Sequence, residues 1–286
     1  MKVYLDCFPC FLKQAIIALR LGTTDESLQK EILKSTCEAI RMTDTSKPPA
    51  YTTTFIHRKI RQMLGTDPFK DIKSEYNQIA LGLYPSLKTV VEKSTDPLLT
   101  SIRLAIAGNV IDFGIFTSVD VEGTIRRALN SQLAVDDYSS LIEALSETDE
   151  ILYLTDNAGE IVFDRILIET LMSRGKNITA VVKGSPVIND TTMTDAGESR
   201  LSDVCKVIDN GSEAVGTILA WTSSAFQKTF QHATLIISKG QANFETLAGT
   251  EKNIFFLFQS KCDVVSKELC LSPGSMLLKK SSLSAG

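Results

Sequence analysis

From about residue 150 onward, short apolar runs alternate with helix-spaced stretches, and that alternation constrains the fold more than any other feature of the chain. The runs fall at 151–155, 178–183, 205–208, 234–238 and 253–258, with a last one near 275–278. Helices are expected between them at 160–173, 212–220 and 262–268. Strands joined through helices pair in parallel, because a parallel neighbour requires a crossover connection, and the helices then cover both faces of the sheet. The spacing predicts a doubly wound, mainly parallel α/β domain over 149–286.

Upstream the texture differs. From Phe11 to about Leu145 apolar residues recur at three and four positions, as in Ala15, Ile16 and Leu19 or Ile32, Leu33, Cys37 and Ile40. That period predicts a mostly helical region over 1–148. Its expected breaks are Gly22 followed by a capping Thr23-Thr24-Asp25, Lys47-Pro48-Pro49, Gly65 to Pro68, Tyr84-Pro85 and Asp96-Pro97. A Ser-rich end, Ser281 to Gly286, is expected to be disordered.

Three of the apolar runs end in polar clusters: Asp156-Asn157-Ala158-Gly159-Glu160, then Lys183-Gly184-Ser185-Pro186 with Asn189-Asp190, then Lys239-Gly240-Gln241-Ala242-Asn243-Phe244-Glu245. The carboxyl ends of neighbouring parallel strands face one crevice, so these clusters are expected to converge. Adjacent carboxylate and amide oxygens suit a hard cation such as Mg²⁺ or Mn²⁺ better than zinc. A helix opening at Gly159 and Glu160 offers N–H groups to an anion, and a lysine neutralises phosphate as a point charge. Taken singly, the first cluster reads equally well as a helix cap, and the second reads more readily as an ordinary turn than as a site.

Composition points to a small-molecule partner. The net charge of −4 gives no electrostatic reason to seek nucleic acid or anionic lipid. No apolar stretch approaches the ~18 residues of a membrane span, and the amino terminus lacks a long hydrophobic segment. A cytoplasmic location is the expectation. Six cysteines, scattered over 286 residues, do not make a disulfide framework. Cys7 and Cys10 form a Cys-x-x-Cys pair that Cys262 would complete to a three-thiol site if the termini meet; structural, soft-metal and redox roles all stay open. His57 and His232 lack ligand context and are expected to be structural or surface residues.

Read in order, Asp6-Cys7-Phe8-Pro9-Cys10 with Gln14, Asp67-Pro68 with Lys73, Gly108-Asn109-Val110-Ile111-Asp112 and the three clusters above make the chain resemble the domain-of-unknown-function 89 family of metal-dependent damage-control phosphatases. It is most similar to the small stand-alone prokaryotic type with an amino-terminal Cys-x-x-Cys. The resemblance spans nearly the whole chain and implies a helical amino-terminal region packed on a Rossmann-like domain. It implies a divalent metal, Mg, Mn, Co or Ni, held by Asp156, Asn157 and Asp190, and Lys239 on the substrate phosphate. Asp156, Asp190 and Lys239 are thereby the expected catalytic residues. Asn109, Gly159, Glu160, Gly240, Asn243 and Glu245 are expected around the substrate, with Asn109 and Asp112 on the helical side of the cleft.

The implied activity is hydrolysis of phosphate monoesters of small metabolites, sugar phosphates or damaged phospho-metabolites. The cation would offset developing charge and position water, and Glu245 or Asp190 would act as base. Asp156 as a covalent nucleophile ranks lower, because haloacid-dehalogenase-type phosphatases use Asp-x-Asp and position 158 is alanine. Two rivals stand beside this reading. One is S-adenosylmethionine-dependent carboxyl methyl transfer, against which no Gly-x-Gly-x-x-Gly follows a strand; the other is a non-catalytic metal- or phosphate-binding protein.

Overall fold

The computed structural model describes residues 1–108 and 121–281. Asn109, Asp112 and the end of the Ser-rich stretch lie outside them. Five helices open the chain: α1 (Cys7–Gly22), α2 (Glu26–Arg41), α3 (Pro49–Leu64), α4 (Lys70–Glu92) and α5 (Pro97–Gly108). After α6 (Val121–Asn130) come β1 (Val135–Asp136), α7 (Tyr138–Glu147), β2 (Glu150–Leu154), α8 (Glu160–Met172), β3 (Asn177–Val182), α9 (Met193–Glu198) and β4 (Lys206–Asp209). The chain continues with α10 (Ser224–His232), β5 (Ile236–Lys239), α11 (Gln241–Leu247), β6 (Ile254–Gln259), α12 (Asp263–Glu268) and β7 (Met276–Lys280).

The strands form one sheet in the order β1-β7-β6-β5-β2-β3-β4, parallel throughout except for the β6–β7 pair. The expected α/β class with a helical amino-terminal region is what the chain adopts. Val135 and Asp136 already pair with β7, so the sheet draws on residues upstream of 148. Both faces are covered, which is why the strands are almost continuously apolar. In β6, Phe255 and Leu257 enter the core beneath α4, α5 and α8, while Phe256 and Phe258 enter the opposite core with Phe226 and Phe244. Each such side chain contributes about 1.5–3 kcal/mol by leaving water.

Local chemistry sets most helix boundaries where the breaks were expected. Asp25 accepts from Ser27 N and Leu28 N and starts α2; α3 begins at Pro49 and ends at Gly65, which has φ +70°. Two expectations do not hold. Tyr84-Pro85 does not end a helix, since α4 runs through it. The Tyr84 hydroxyl donates to Glu169 Oε2 at 2.6 Å and Lys88 Nζ donates to the same oxygen at 2.8 Å, so α8 clamps α4 around the proline while Leu87 and Val91 are buried. The helix expected at 212–220 is instead extended loop with a short 3₁₀ turn at Leu219–Trp221. There the backbone bonds to other elements: Val215 N to Thr54 Oγ1 at 2.9 Å and Thr217 N to Thr246 Oγ1 at 3.0 Å. Gly216, at φ +65°, lies against Ala242 where no Cβ would fit.

α1, α2 and α3 share their own core, built on Phe11, Ile32, Ile56 and Ile60. Of these, α1 and α3, together with α4, face the strand ends across a cavity. β2 lies between β3 and β5, which the chain enters in opposite directions across the sheet, so the switch point falls beside β2 at the carboxyl ends of β2 and β5.

Candidate active site

Asp156 leaves β2 at this switch point, and Asn157 forms an isolated antiparallel bridge with Asp190, which follows β3. The bridge is reinforced by Ala158 N donating to Asn189 O at 2.9 Å and Thr191 N donating to Asp156 O at 2.8 Å. Three expected site residues from two strand ends therefore meet. They line a cavity of about 690 Å³ whose other walls come from α1, α3, α4, α11 and the segment before α12.

Asn157 Nδ2 donates to Asp156 Oδ2 at 2.6 Å and to Glu160 Oε2 at 3.1 Å, which fixes the orientation of its amide. Asp156 and Asp190 are nearly fully buried. Desolvation, then the neighbouring charges of Glu160 and Asp190, pushes the Asp156 carboxyl well above the usual range. Desolvation also raises Asp190, although Lys183 opposes it. Asp190 Oδ2 stands 3.3 Å from Lys183 Nζ in an ion pair but lacks a well-aligned hydrogen bond among the described residues.

Gly240 closes the back of the site. Its φ is +82°, and a Cβ there would lie 2.1 Å from Asp156 Oδ2, so only glycine lets the end of β5 approach this carboxylate. Two desolvated carboxylates beside an oriented amide make a hard oxygen donor set. Such a set fits a small divalent cation, which would relieve the charge repulsion that the pair now carries.

Several residues expected at the substrate instead support the site from behind. Lys239 is wholly buried, and its three N–H donors go to Ala105 O at 2.8 Å, Glu160 Oε1 at 2.6 Å and Asp164 Oδ1 at 2.5 Å. Strand alternation explains this correction: Lys239 shares the face of Ile237, which looks into the core under α5 and α8 and away from the strand end. Glu160 is held between that ammonium and Asn157. The Gly159 N–H donates to Asn77 Oδ1 at 2.8 Å, so it is not free for an anion.

Asn243 is buried and donates to Thr155 O and Lys239 O, tying the ends of β2 and β5 together. Of the expected substrate set, Glu245 lines the cavity, and desolvation raises its carboxyl to about 7.

Cys7, Cys10 and Cys262 do come together along the same cavity. Burial raises the Cys7 and Cys10 thiols; the charges of Glu245, Cys262 and Cys10 add to the effect at Cys7, and those of Cys262 and Glu245 at Cys10. Among the described residues no three Cys, His, Asp or Glu side chains stand at metal-ligating spacing, so the thiols are neighbours and not a preformed metal centre.

Sequence reasoning missed Asn77. Its amide Nδ2 is anchored by Asp195 and Glu198, and Lys73 pairs with Asp195 at 2.8 Å, so a buried polar chain carries α4 to the turn at Gly159. Lys73 stands in the sequence motif, whereas Asn77 is signalled only by lying one helical turn beyond it. Lys183 was visible in the second cluster, but its pairing with Asp190 was not.

The family model described as the damage-control phosphatase ARMT1-like domain matches residues 3–277. An uncharacterized protein of Methanocaldococcus jannaschii is 37% identical, covering 98% of this chain and 95% of its own length. A damage-control phosphatase of Archaeoglobus fulgidus is 33% identical over 98% of this chain and 99% of that one. The crystal structure of a DUF89 family protein from Pyrococcus horikoshii superposes with a TM-score of 0.91 at 32% identity, covering 99% of this chain and all of that one. The geometry at the switch point thus sits within a shared architecture, and the chain belongs to the damage-control phosphatase ARMT1-like (DUF89) family.

Proposed function

We propose that the chain is a metal-dependent phosphatase that hydrolyses phosphate monoesters of small metabolites. Relatives named damage-control phosphatases, 33% and 32% identical over nearly the full length, support a phosphatase role. The observation that carries the reading is the convergence of Asp156, Asn157 and Asp190 at one end of a cavity large enough for a metabolite. These three are the residues that would hold the cation, which would supply positive charge to offset the negative charge that develops as the ester bond breaks. Mg, Mn, Co and Ni are the metals in question.

The chain's own groups do the rest. Glu160, pinned by Lys239, holds the Asn157 amide, and Gly240 holds Asp156 in place. Lys261 is the one lysine or arginine lining the cavity among the described residues, and its charge reaches Asp156; it takes the phosphate-facing role expected of Lys239. Of the two candidate bases, Asp190 is buried against Lys183. Glu245 lines the cavity wall with its carboxyl raised to about 7, the range suited to moving a proton at neutral pH.

The test is phosphate release from a panel of sugar phosphates and a chromogenic ester, using metal-stripped protein resupplied with each of the four metals. Asp156→Ala and Asp190→Ala should abolish metal-stimulated release while the protein stays folded. Turnover that survives both substitutions, or that needs no metal, would overturn the assignment.

A further inference from the structure

Asn77, in α4, is wholly buried, and its hydrogen bonds run in two directions. Its Oδ1 accepts from Gly159 N at 2.8 Å. Its Nδ2 donates to Asp195 Oδ1 at 3.1 Å and to Glu198 Oε2 at 2.9 Å, both in α9. One orientation of the amide satisfies all of these, since a flipped amide would set its oxygen against two carboxylates and its NH₂ against an N–H. A carboxylate at this position would meet Asp195 and Glu198 with like charge, and an apolar side chain would leave the Gly159 N–H unpaired. The place calls for a short side chain that both accepts and donates.

Each direction ends behind one arm of the candidate cation site. Gly159 closes the turn that begins at Asp156 and Asn157, and its φ of +76° and ψ of −51° lie near the rare, strained γ-turn. That turn places the next residue, Glu160, where its Oε2 takes the Asn157 amide. On the other side, Asp195 Oδ2 accepts from Thr192 N at 2.8 Å and from Thr192 Oγ1 at 2.7 Å, which fixes the start of α9 just beyond Asp190. The backbone bridge between Asn157 and Asp190 joins the arms to each other. Asn77 braces the turn behind one arm and the helix behind the other against a single element, α4.

We propose that Asn77 is a positioning residue that, through Gly159 and Asp195, holds Asp156 with Asn157 on one side and Asp190 on the other at the separation a cation needs. It touches no reacting group. The proposal rests on the cation site of the phosphatase reading and deepens it by adding a residue that acts through others. Hydrogen-bonding groups behind metal ligands typically change metal affinity about tenfold to a hundredfold.

Calorimetric titration of metal-stripped protein with Mg²⁺, Mn²⁺, Co²⁺ and Ni²⁺ tests it, with Leu87→Ala as the control. Leu87 is buried in the same helix, about 15 Å further along its axis, so its truncation weakens the fold without touching either turn. The dissociation constant of the metal that wild-type protein binds most tightly should rise about tenfold to a hundredfold in Asn77→Leu and stay within about twofold in Leu87→Ala. Phosphate release by Asn77→Leu should need correspondingly more metal for half-activation yet approach the wild-type rate at saturation. Lowered stability alone would leave half-activation where it is. Asn77→Ser gives the same comparison should Asn77→Leu fold poorly.

A second readout needs neither metal nor turnover. Backbone amide exchange in metal-free protein should be faster at both Gly159 and Thr192 in Asn77→Leu than in Leu87→Ala. Acceleration at Gly159 alone, or a dissociation constant that matches the control, would refute the proposal. Metal binding that weakens as expected while no ester is hydrolysed would instead sustain the bracing role and sink the phosphatase reading. Wild-type protein that binds none of the four metals would overturn both.

Discussion

Replacing Gly240 with alanine separates backbone strain from damage to the site, because Gly65 offers a matched control. Gly65 has φ +70° with no atom within 4 Å of the position a Cβ would take, so Gly65→Ala meets the left-handed penalty alone, about 1–2 kcal/mol. Gly240 has φ +82° and ψ 154°, a region nearly exclusive to glycine, which makes the backbone term about 1–3 kcal/mol. Its Cβ would also stand 2.1 Å from Asp156 Oδ2 and 2.2 Å from Cγ, so the carboxylate must move. That displacement breaks the 2.6 Å bond from Asn157 Nδ2 and separates the two ends of the donor set. A shift of about 1 Å in a reacting group lowers turnover on the order of a hundredfold. Urea denaturation should therefore show both variants folded with lowered midpoints, while metal-stimulated phosphate release falls about a hundredfold in Gly240→Ala and stays near wild type in Gly65→Ala. Wild-type release from Gly240→Ala would refute the argument that the close approach of β5 holds Asp156 in position.

Lys239→Met leaves Glu160 and Asp164 buried without their cation and should destabilise the fold by roughly 3–5 kcal/mol in chemical denaturation, with much of the loss recovered on adding Glu160→Gln and Asp164→Asn; a small loss would contradict the closed cluster. Glu245 binds its proton more tightly folded, at about 7, than unfolded, at 4.5, so its contribution is fully present below 4.5 and is lost as pH rises through 7. Glu245→Gln should accordingly be more stable than wild type at about pH 8, by the order of 1–3 kcal/mol, and no more stable at about pH 4, measured as unfolding midpoints.

The class of the fold was readable because covered parallel strands must be apolar on both faces, and runs such as Ile254 to Phe258 show this directly. The meeting of Asp156, Asn157 and Asp190 followed from strand-end convergence, which depends on position along the chain and not on side-chain direction. Lys239 shows where that reasoning stops: whether the last residue of a strand faces ligand or core depends on a one-residue parity that a short apolar run does not display. The stretch 212–220 carried a helical period, yet its backbone groups were claimed by Thr54 and Thr246, contacts with no local trace. β1, two residues long, and the reversed direction of β7 leave no pattern either, since amphipathicity does not encode strand polarity.

β7 pairs with β6 on one side and with β1 on the other, so residues 276–280 hold an early segment of the chain in register with a late one. As the polypeptide emerges from the ribosome, β1 must wait for its sheet partner until β2 to β6 have been made. Until then one edge of β6 stays open, with Phe255 to Phe258 incompletely covered and available to other chains. Synthesis direction thus makes β7, which follows the other six strands, the one that completes this sheet, and loss of those few residues would leave two segments without a partner rather than one.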